Sequence, residues 1–256
     1  MPRSPDGPPP PPAVQRLRLR YAKRGRLRFS SHRDFQRAFE RALRRARVPM
    51  AYSAGFSPHP KISYANAVPT GVASEAEYVE FAVVERCDPD LLRVRLDSSL
   101  PPGLDVLEVV EASPGSSLAD RLEASVYEVR LGEVTDATAR AAAGQFLAAG
   151  SVPIERLTKN GMRQFDARPA VLALTVLAGA DTLLGAGEGL PDRPCAILRV
   201  VVRHTTPAVR PDDVLEALRQ VADLAPPVPP QVTRLAQGPL DSAADDVSDP
   251  LVTDRA

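Results

Sequence analysis

The sequence predicts an α+β protein in which the order strand, helix, strand, strand, helix, strand occurs twice. Two observations support this prediction. Short segments in which polar and apolar residues alternate, as in half-buried strands, lie between segments whose apolar residues recur every three or four positions, as in amphipathic helices. The same order then returns after residues 113–121, which we interpret as a linker because they are rich in serine and glycine.

The first half opens with two short alternating segments, RLRLRY at 16–21 and RLRF at 26–29, which we interpret as strands. A helix is predicted to begin at Ser31, because a serine three residues before Asp34 fits the pattern of a capping box. One apolar stripe at helical spacing runs along this helix, and Pro49 ends it. The remaining predictions for this half are strands at 61–65 and 76–85, a helix at 88–101 and a strand at 103–112.

The second half repeats this order. Its predicted elements are strands at 124–131, 195–205 and 230–238, helices at 136–150 and 210–224, and a hairpin that turns at Lys159, Asn160 and Gly161. Each half therefore has the order of a ferredoxin-like βαββαβ unit, the first over residues 14–112 and the second over residues 122–238. The proline-rich residues 1–13 and the acidic residues 239–256 are predicted to be disordered tails.

The zero net charge of the chain hides a strong asymmetry. Residues 14–70 carry 14 Lys or Arg against two Asp or Glu, a formal charge of +12, and the rest of the chain carries the opposite charge. A basic lobe concentrates polyanions at its surface whatever the overall charge of the protein. This asymmetry favours an anionic partner, RNA above all. The alternative is a solvated arginine-rich surface whose charge is balanced by contacts with the acidic half.

The sequence gives no support for conventional cofactor or metal chemistry. It contains no glycine-rich phosphate loop, dinucleotide-binding pattern, iron–sulfur cysteine run or nucleophile elbow. Cys87 and Cys195 lie far apart and form no metal-ligand spacing with the three histidines. Two isolated cysteines fit a reducing compartment, and we find neither an export signal nor an apolar run of the roughly 20 residues that span a bilayer. We therefore expect a cytoplasmic protein that binds no cofactor or metal itself.

The strongest candidate for binding is the predicted helix after Ser31. The side opposite its apolar stripe carries five arginines, namely Arg33, Arg37, Arg41, Arg44 and Arg45. Guanidinium groups bind backbone phosphates, which would give a sequence-independent and salt-sensitive affinity for RNA. Three aromatic residues that follow the helix, Tyr52, Phe56 and Tyr64, are candidates for stacking on unpaired bases, with packing in the core as the alternative.

The loop YSAGFSPHPKIS at 52–63 is the second candidate. Two prolines stiffen the chain around His59, and Ser53 and Lys61 are further candidate contacts to phosphate. His32, in the first turn of the predicted helix, is expected to lie near this loop. Two histidines in a basic site are candidates for a general acid and base acting on an RNA 2′-hydroxyl. The alternative is that His32 and His59 have structural roles only.

The stretch from Lys23 to Phe81 resembles an uncharacterised bacterial family known as radical-SAM-associated, or radical SAM-linked, proteins. The residues that carry the resemblance are Ser31, His32, Asp34, Arg41, Arg44, Tyr52, Ser53, Gly55, Phe56, Pro58, His59, Pro60, Gly71, Ser74, Glu75 and Tyr78. A weaker match in the second half rests on Lys159, Gly161, Asp166, Arg168 and Pro169. We take Lys159, Arg163 and Arg168 as the nucleic-acid-binding candidates of that half.

The resemblance implies partners rather than a reaction. Members of the family are fused to, or encoded beside, a cobalamin-binding radical SAM protein, often near genes for a ribonuclease E/G-type enzyme and ribosomal proteins. This chain lacks the radical SAM cysteines, so S-adenosylmethionine, the iron–sulfur cluster and cobalamin would belong to the partner. We therefore expect an RNA-binding accessory protein that presents tRNA or rRNA for modification or processing.

Two alternatives stay open. One is a metal-independent RNA-processing enzyme that uses His59 and His32, similar to the tandem ferredoxin-like endonucleases that process CRISPR repeats. The other is a protein-interaction subunit with no role in RNA binding, whose basic face contacts an acidic partner.

Overall fold

The computed structural model describes residues 10–115, 117–158, 161–178, 193–241 and 243–255. These residues mix strands with four α-helices and divide into two compact units. The first unit comprises Met1–Arg121 together with Pro250–Ala256, and the second comprises Leu122–Asp249. No helix in the described ranges is long and apolar enough to cross a membrane.

The first unit follows the predicted order of elements. In chain order its elements are β1 (Gln15–Lys23), α1 (His32–Arg45), β2 (Ile62–Ala65), β3 (Ala73–Val83), α2 (Pro89–Asp97) and β4 (Leu104–Glu111). The strands pair antiparallel in the order β4, β1, β3, β2.

The prediction of a strand at RLRF is wrong, because this segment is a 3-10 helix (Gly25–Phe29). Gly25 has a φ of +54°, which turns the chain at the end of β1. The turn is held locally, since the N–H of Leu27 donates to the carbonyl of Arg24 at 3.1 Å and the N–H of Ser30 donates to the carbonyl of Leu27 at 2.9 Å. A four-residue alternation is too short to distinguish a strand from such a turn.

The core of the first unit lies between the sheet that contains β1 and the helix α1. Leu17, Leu19 and Tyr21 occupy alternate positions of β1 and are buried in one cluster with Phe35 and Phe39 of α1. The rings of Tyr21 and Phe35 stack with centroids 4.1 Å apart. Because this side of α1 is buried, the arginines of the helix lie on its outer side.

The capping box predicted at the start of α1 is confirmed. The N–H of Asp34 donates to Ser31 Oγ at 3.2 Å, and the N–H of Ser31 donates to the Asp34 carboxylate at 3.2 Å. The Ser31 hydroxyl donates to the same carboxylate at 2.7 Å, and these bonds lower the pKa of Asp34. They fix the first turn of the helix and so the register in which its arginines are presented.

The second unit has its two helices, its hairpin and the strands at 124–131, 195–205 and 230–238 where the sequence predicts them, whereas the strands at 240–241 and 246–247 lie in the segment predicted to be disordered and the strand at 171–177 was not predicted separately from the hairpin. In chain order its elements are β5 (Ala124–Gly132), α3 (Asp136–Ala148), β6 (Pro153–Thr158), β7 (Gly161–Asp166), β8 (Val171–Leu177), β9 (Cys195–Arg203), α4 (Pro211–Ala222), β10 (Gln231–Gly238), β11 (Leu240–Asp241) and β12 (Asp246–Val247). Within this unit β10, β5, β9 and β8 pair antiparallel in that order. The predicted hairpin is formed by β6 and β7, and two of its turn residues, Lys159 and Asn160, lie outside the described residues.

The acidic C-terminal segment is ordered where the sequence predicts a disordered tail. Its described residues form β11, β12 and a 3-10 helix (Val252–Asp254), and the last of these belongs to the first unit. Leu251 is fully buried, and the buried Asp254 carboxylate accepts hydrogen bonds from Arg18 at 2.7 and 2.8 Å. The prediction of disorder rested on the acidic composition of this segment. Composition could not reveal the contact that orders it, because Arg18 lies 236 positions from Asp254 in the sequence.

The predicted linker at 113–121 is also anchored. The N–H of Ser113 donates to the Asp254 carboxylate at 3.0 Å, and the Arg121 guanidinium donates to it at 2.8 Å. The same carboxylate therefore ties both ends of this segment to the first unit. Of the predicted N-terminal tail, residues 1–9 lie outside the described residues.

Candidate nucleic-acid interface

The outer face of α1 carries a row of exposed arginines, which we call the α1 arginine row. Its members are Arg33, Arg37, Arg41 and Arg44. Their spacing of three or four residues places them one above another on the same side of the helix. At 1.5 Å per residue the row extends for about 16 Å along the helix axis.

No ion pair within the described ranges engages the α1 arginine row, although the Asp34 carboxylate interacts electrostatically with Arg37. Within the part of the chain that the structure describes, no carboxylate oxygen lies within 4.0 Å of these four guanidinium groups. Arg45, the fifth predicted arginine, is exposed at the side of the row and donates a hydrogen bond to the carbonyl of Ser99 at 3.1 Å. The row therefore presents four positive charges to solvent on one surface.

Three further arginines occupy alternate positions of β1, and they differ sharply from the α1 arginine row. Each forms an ion pair within the first unit: Arg16 with Glu80 at 3.5 Å, Arg18 with Glu80 at 2.8 Å and with Asp254 at 2.7 Å, and Arg20 with Glu108 at 4.0 Å. Burial acts to raise the pKa of Asp254, but the hydrogen bonds from Arg18, Ser113 and Arg121 outweigh it and that pKa is lowered. Of these β1 arginines Arg18 is part of the packing of the unit, whereas the side chain of Arg16 is 64% exposed.

The predicted binding loop is a hairpin over residues 51–61 that leaves the sheet at β3. Three backbone hydrogen bonds form a closed ring at its base. The N–H of Ala51 donates to the carbonyl of Ala82 at 2.8 Å, that of Ala82 to Lys61 at 3.1 Å, and that of Lys61 to Ala51 at 2.8 Å. The base of the 51–61 hairpin is thereby fixed to the sheet.

The 51–61 hairpin presents two aromatic side chains to solvent, Tyr52 near its base and Phe56 near its tip. Its arms are held together where the N–H of Ser53 donates to the carbonyl of His59 at 2.9 Å and the N–H of His59 donates to Ser53 Oγ at 3.1 Å. Phe56 is 71% exposed and Tyr52 is 41% exposed. Gly55 has a φ of +129°, which side chains disfavour, and it reverses the chain at the tip. One hairpin thus carries five candidate residues, namely Tyr52, Ser53, Phe56, His59 and Lys61.

Tyr64 belongs to the core rather than to this exposed surface. Its ring packs edge-on against His32 at 5.2 Å and against Phe35 at 6.0 Å, and its hydroxyl is buried. Burial and then the nearby Glu40 carboxylate raise the pKa of Tyr64. The alternative of core packing, rather than base stacking, therefore holds for this residue.

The three histidines have different surroundings. His32 is exposed in the first turn of α1 and His59 is exposed on the hairpin; no described contact joins them, so their action as an acid–base pair stays a prediction. His204 is engaged at both ring nitrogens, with Nδ1 2.7 Å from the carbonyl of Leu122 and Nε2 2.8 Å from Ser125 Oγ. Burial lowers the pKa of His204. This histidine therefore has a structural role in the second unit.

The candidates of the second half are spread over different surroundings. Lys159 lies outside the described residues, and Arg163 is exposed on β7. Arg168 is engaged within its own unit, because its guanidinium donates to the carbonyl of Val171 at 2.9 Å and to that of Leu147 at 3.2 Å. Of these three, Arg163 is the residue that the structure leaves accessible to a ligand.

An open pocket of about 240 Å³ lies at the base of the 51–61 hairpin, which we call the hairpin-base pocket. Its polar lining comes from Arg16, Lys61, Ser63 and Glu80, and Ala82 contributes to its floor. Sequence reasoning selected Lys61 but missed Arg16 and Ser63. The alternation in β1 indicated that Arg16 lies on the polar side of a strand, but only strand pairing brings it to Lys61.

Residues 16–211 match a family described as an uncharacterized protein conserved in bacteria (DUF2344). The chain belongs to this family. The matched range contains α1, the 51–61 hairpin and the hairpin-base pocket. No curated protein matches the chain. Among the residues that the structure describes, no group of three or more His, Cys, Asp and Glu side chains is arranged to hold a metal ion.

Proposed function

We propose that this protein is an RNA-binding accessory protein whose main contact is the α1 arginine row. The observation that carries the proposal is that these four exposed guanidinium groups have no carboxylate oxygen within 4.0 Å among the described residues. Four like charges on one helix face repel each other, and an anionic polymer relieves that repulsion. Phosphate oxygens suit this surface because guanidinium groups bind them through paired, charge-assisted hydrogen bonds.

The 51–61 hairpin favours RNA that contains unpaired bases. Phe56 is exposed at its tip and Tyr52 near its base, and an aromatic ring that stacks on a base contributes about 1–3 kcal/mol to binding. The faces of paired bases are covered by their neighbours in a duplex, so this contribution is restricted to single strands, loops and bulges. His59 and Lys61 are exposed on the same hairpin and supply hydrogen-bond donors for the RNA backbone.

We propose further that each unit has the ferredoxin-like fold. In the first unit the sheet order β4, β1, β3, β2 corresponds to fourth, first, third and second strand, and β10, β5, β9, β8 give the same order in the second unit. The β6–β7 hairpin is then an insertion after the first helix of the second unit.

The proposed partner is a cobalamin-binding radical SAM enzyme in the cytoplasm, and this part rests on the family resemblance alone. The partner would use S-adenosylmethionine, an iron–sulfur cluster and cobalamin, and this chain would present tRNA or rRNA to it for modification or processing.

Salt dependence of RNA binding tests the main proposal. Binding of a fluorescent single-stranded RNA is measured by anisotropy between about 50 and 200 mM salt for wild type and for Arg37→Ala/Arg41→Ala. Each phosphate contact to a single strand contributes about −0.7 to the slope of log K against log salt. Because the variant loses two contacts, its slope should be less negative by about 1.4. The control is Arg86→Ala, which removes an exposed arginine that is paired with Glu111 at 3.1 Å. Equal slopes and affinities for the double variant and wild type would refute the proposal.

The alternatives give different results. RNA cleavage by the isolated chain, lost in a folded His59→Ala variant, would support the enzyme. A protein partner that co-purifies after nuclease treatment, with no RNA bound by the chain, would support the protein-interaction subunit.

A further inference from the structure

The hairpin-base pocket is bordered by a row of three side chains that crosses the sheet. Arg16 of β1 pairs in register with Ala82 of β3, and the N–H of Ala82 bonds to the carbonyl of Lys61 at 3.1 Å. Neighbouring strands lie about 4.8 Å apart, so the backbones that carry the two cations are about 10 Å apart. Ala82, which is 6% exposed, lies between them and lines the pocket. The row therefore has a positive group on each side of a small apolar side chain.

The next row supplies polar groups. Glu80 pairs in register with Arg18 on one side and with Ser63 on the other. Since residues two apart on a strand share a face, this row lies on the same face as the first. The pocket is therefore bounded by two cations, a hydroxyl and a carboxylate.

The two cations of the first row are only weakly neutralised. The Arg16 side chain is 64% exposed and lies 3.5 Å from Glu80, while Arg18 holds the same carboxylate more closely, at 2.8 Å. Lys61 is exposed, and no carboxylate of the described residues lies within 4.0 Å of its ammonium group. Both groups are available to an anionic ligand.

The hairpin-base pocket opens at Ala82 because two different segments of the chain border β3 on either side of this residue. Met50 bridges Val83 on one side of this point, and Ile62 pairs with Phe81 on the other. Between these two arms the 51–61 hairpin departs from the sheet. The cavity of about 240 Å³ lies at this departure and is open to solvent.

We propose that the hairpin-base pocket binds one unpaired nucleotide of the RNA. The base lies over Ala82 between Arg16 and Lys61, whose N–H groups donate hydrogen bonds to acceptor atoms at its edge, and the phosphate contacts one of these cations. The Ser63 hydroxyl and the Glu80 carboxylate face the edge of the base or the ribose. The inference rests on the proposed RNA-binding function and adds to it the recognition of a single extruded nucleotide.

Titration with adenosine 5′-monophosphate (AMP), followed through assigned backbone amide signals, tests this site in the full chain. The amides of residues 61–63 and 80–82 should shift saturably, and Arg16→Gln/Lys61→Gln should weaken the binding at least tenfold. Inorganic phosphate should shift the same amides with lower affinity, because it lacks the base. Arg86→Gln is the matched control, since it removes an exposed arginine outside the pocket. Absence of these shifts, or a double variant within twofold of wild type, would overturn the inference.

A second titration distinguishes a free nucleotide from a nucleotide within an RNA strand. A single-stranded oligoadenylate should shift the same amides more tightly than AMP and compete with it, whereas the same strand in a duplex should not. If AMP binds and the oligomer does not compete, the pocket takes a free nucleotide and the RNA part of the inference is overturned. If RNA binds through α1 with no shift at the pocket, the inference fails while the proposed function stands. If AMP binds the pocket and the chain binds no RNA, the proposed function fails together with the RNA part.

Discussion

The first unit contains two rows of arginines that differ in their contacts with carboxylates. The arginines of β1 lie against carboxylates, and the side chain of Arg18 is only 2% exposed between Glu80 and Asp254. The α1 arginine row lies in solvent with no carboxylate within 4.0 Å among the described residues. The residue type is the same in both rows, and the difference lies in what the fold packs against each.

This difference separates arginines that stabilise the protein from arginines available to a ligand. A buried guanidinium that loses its partner leaves an uncompensated charge, so Arg18 of the β1 row should control stability. An exposed guanidinium contributes little to stability but retains its capacity to bind phosphate, so the α1 row should control binding. Total charge alone does not distinguish the two.

The largest expected effect is on stability, in Asp254→Ala. This change removes a carboxylate bound by Arg18, Arg121 and Ser113, and it should lower the free energy of unfolding by about 3 kcal/mol, as expected for one half of a buried ion pair. Urea denaturation followed by circular dichroism measures the change. Arg41→Ala is the comparison and should change stability by less than about 0.5 kcal/mol. Equal small effects of both variants would abolish the distinction between the two rows.

The second largest effect is expected on RNA affinity, in a variant that partly neutralises the α1 arginine row. Arg37→Glu places a carboxylate one helical turn from both Arg33 and Arg41, and ion pairs at this spacing stabilise a helix by about 0.2–0.5 kcal/mol each. RNA affinity should fall by about 30- to 100-fold, because three phosphate contacts are lost or weakened. Anisotropy measures the affinity, and Arg86→Glu provides the same change of charge at an arginine outside the row. If the two variants weaken RNA binding equally, net charge rather than the row determines affinity.

The third effect concerns the 51–61 hairpin. Phe56→Ala removes the most exposed aromatic ring of its tip and should weaken binding to single-stranded RNA about tenfold, within the range for loss of one stacked base. Affinity for duplex RNA should stay unchanged. Leu91→Ala removes a comparably exposed apolar side chain, 65% exposed on α2, and should affect neither ligand. An equal loss for single strands and duplexes would exclude base stacking by Phe56.

The smallest effect is a pH dependence of stability from Asp254. The pKa of this carboxylate is lowered in the folded protein from its ordinary value of 3.8, so the folded state favours the ionised form. Its contribution to stability is therefore complete above pH 3.8 and is lost as the pH falls through the lower folded-state pKa. The difference in urea midpoint between wild type and Asp254→Asn should shrink as the pH falls below 3.8. A difference that grows in this range would contradict the assigned direction.

Much of the fold was predictable because its signals are local. The capping box at Ser31, the apolar stripe of α1 and the Asn–Gly turn before Gly161 are each encoded within a few residues. The wrong prediction at RLRF has the same origin, since Gly25 and short-range hydrogen bonds determined the conformation of a segment too short for its alternation to be informative.

The candidate site was only partly predictable. The arginines of α1 and the residues of the hairpin are close in sequence, and helix periodicity already placed the former on one outer face. The hairpin-base pocket combines Arg16 with Lys61 and Ser63, which strand pairing alone brings together. Tyr64, by contrast, looked similar to Phe56 in sequence but is covered by His32 and Phe35.

The sequence by itself determined where the four α-helices and most of the longer strands form, and that α1 has an apolar and a basic side, because periodicity and capping act over a few residues. Only the tertiary structure decided which arginines form ion pairs and which stay exposed to solvent. It brought Asp254 from the end of the chain to Arg18, and it paired Glu80 with Arg16 and Arg18 across two strands. Ion pairing depends on distances of a few ångströms between residues far apart in the chain, and those distances exist only once the chain is folded.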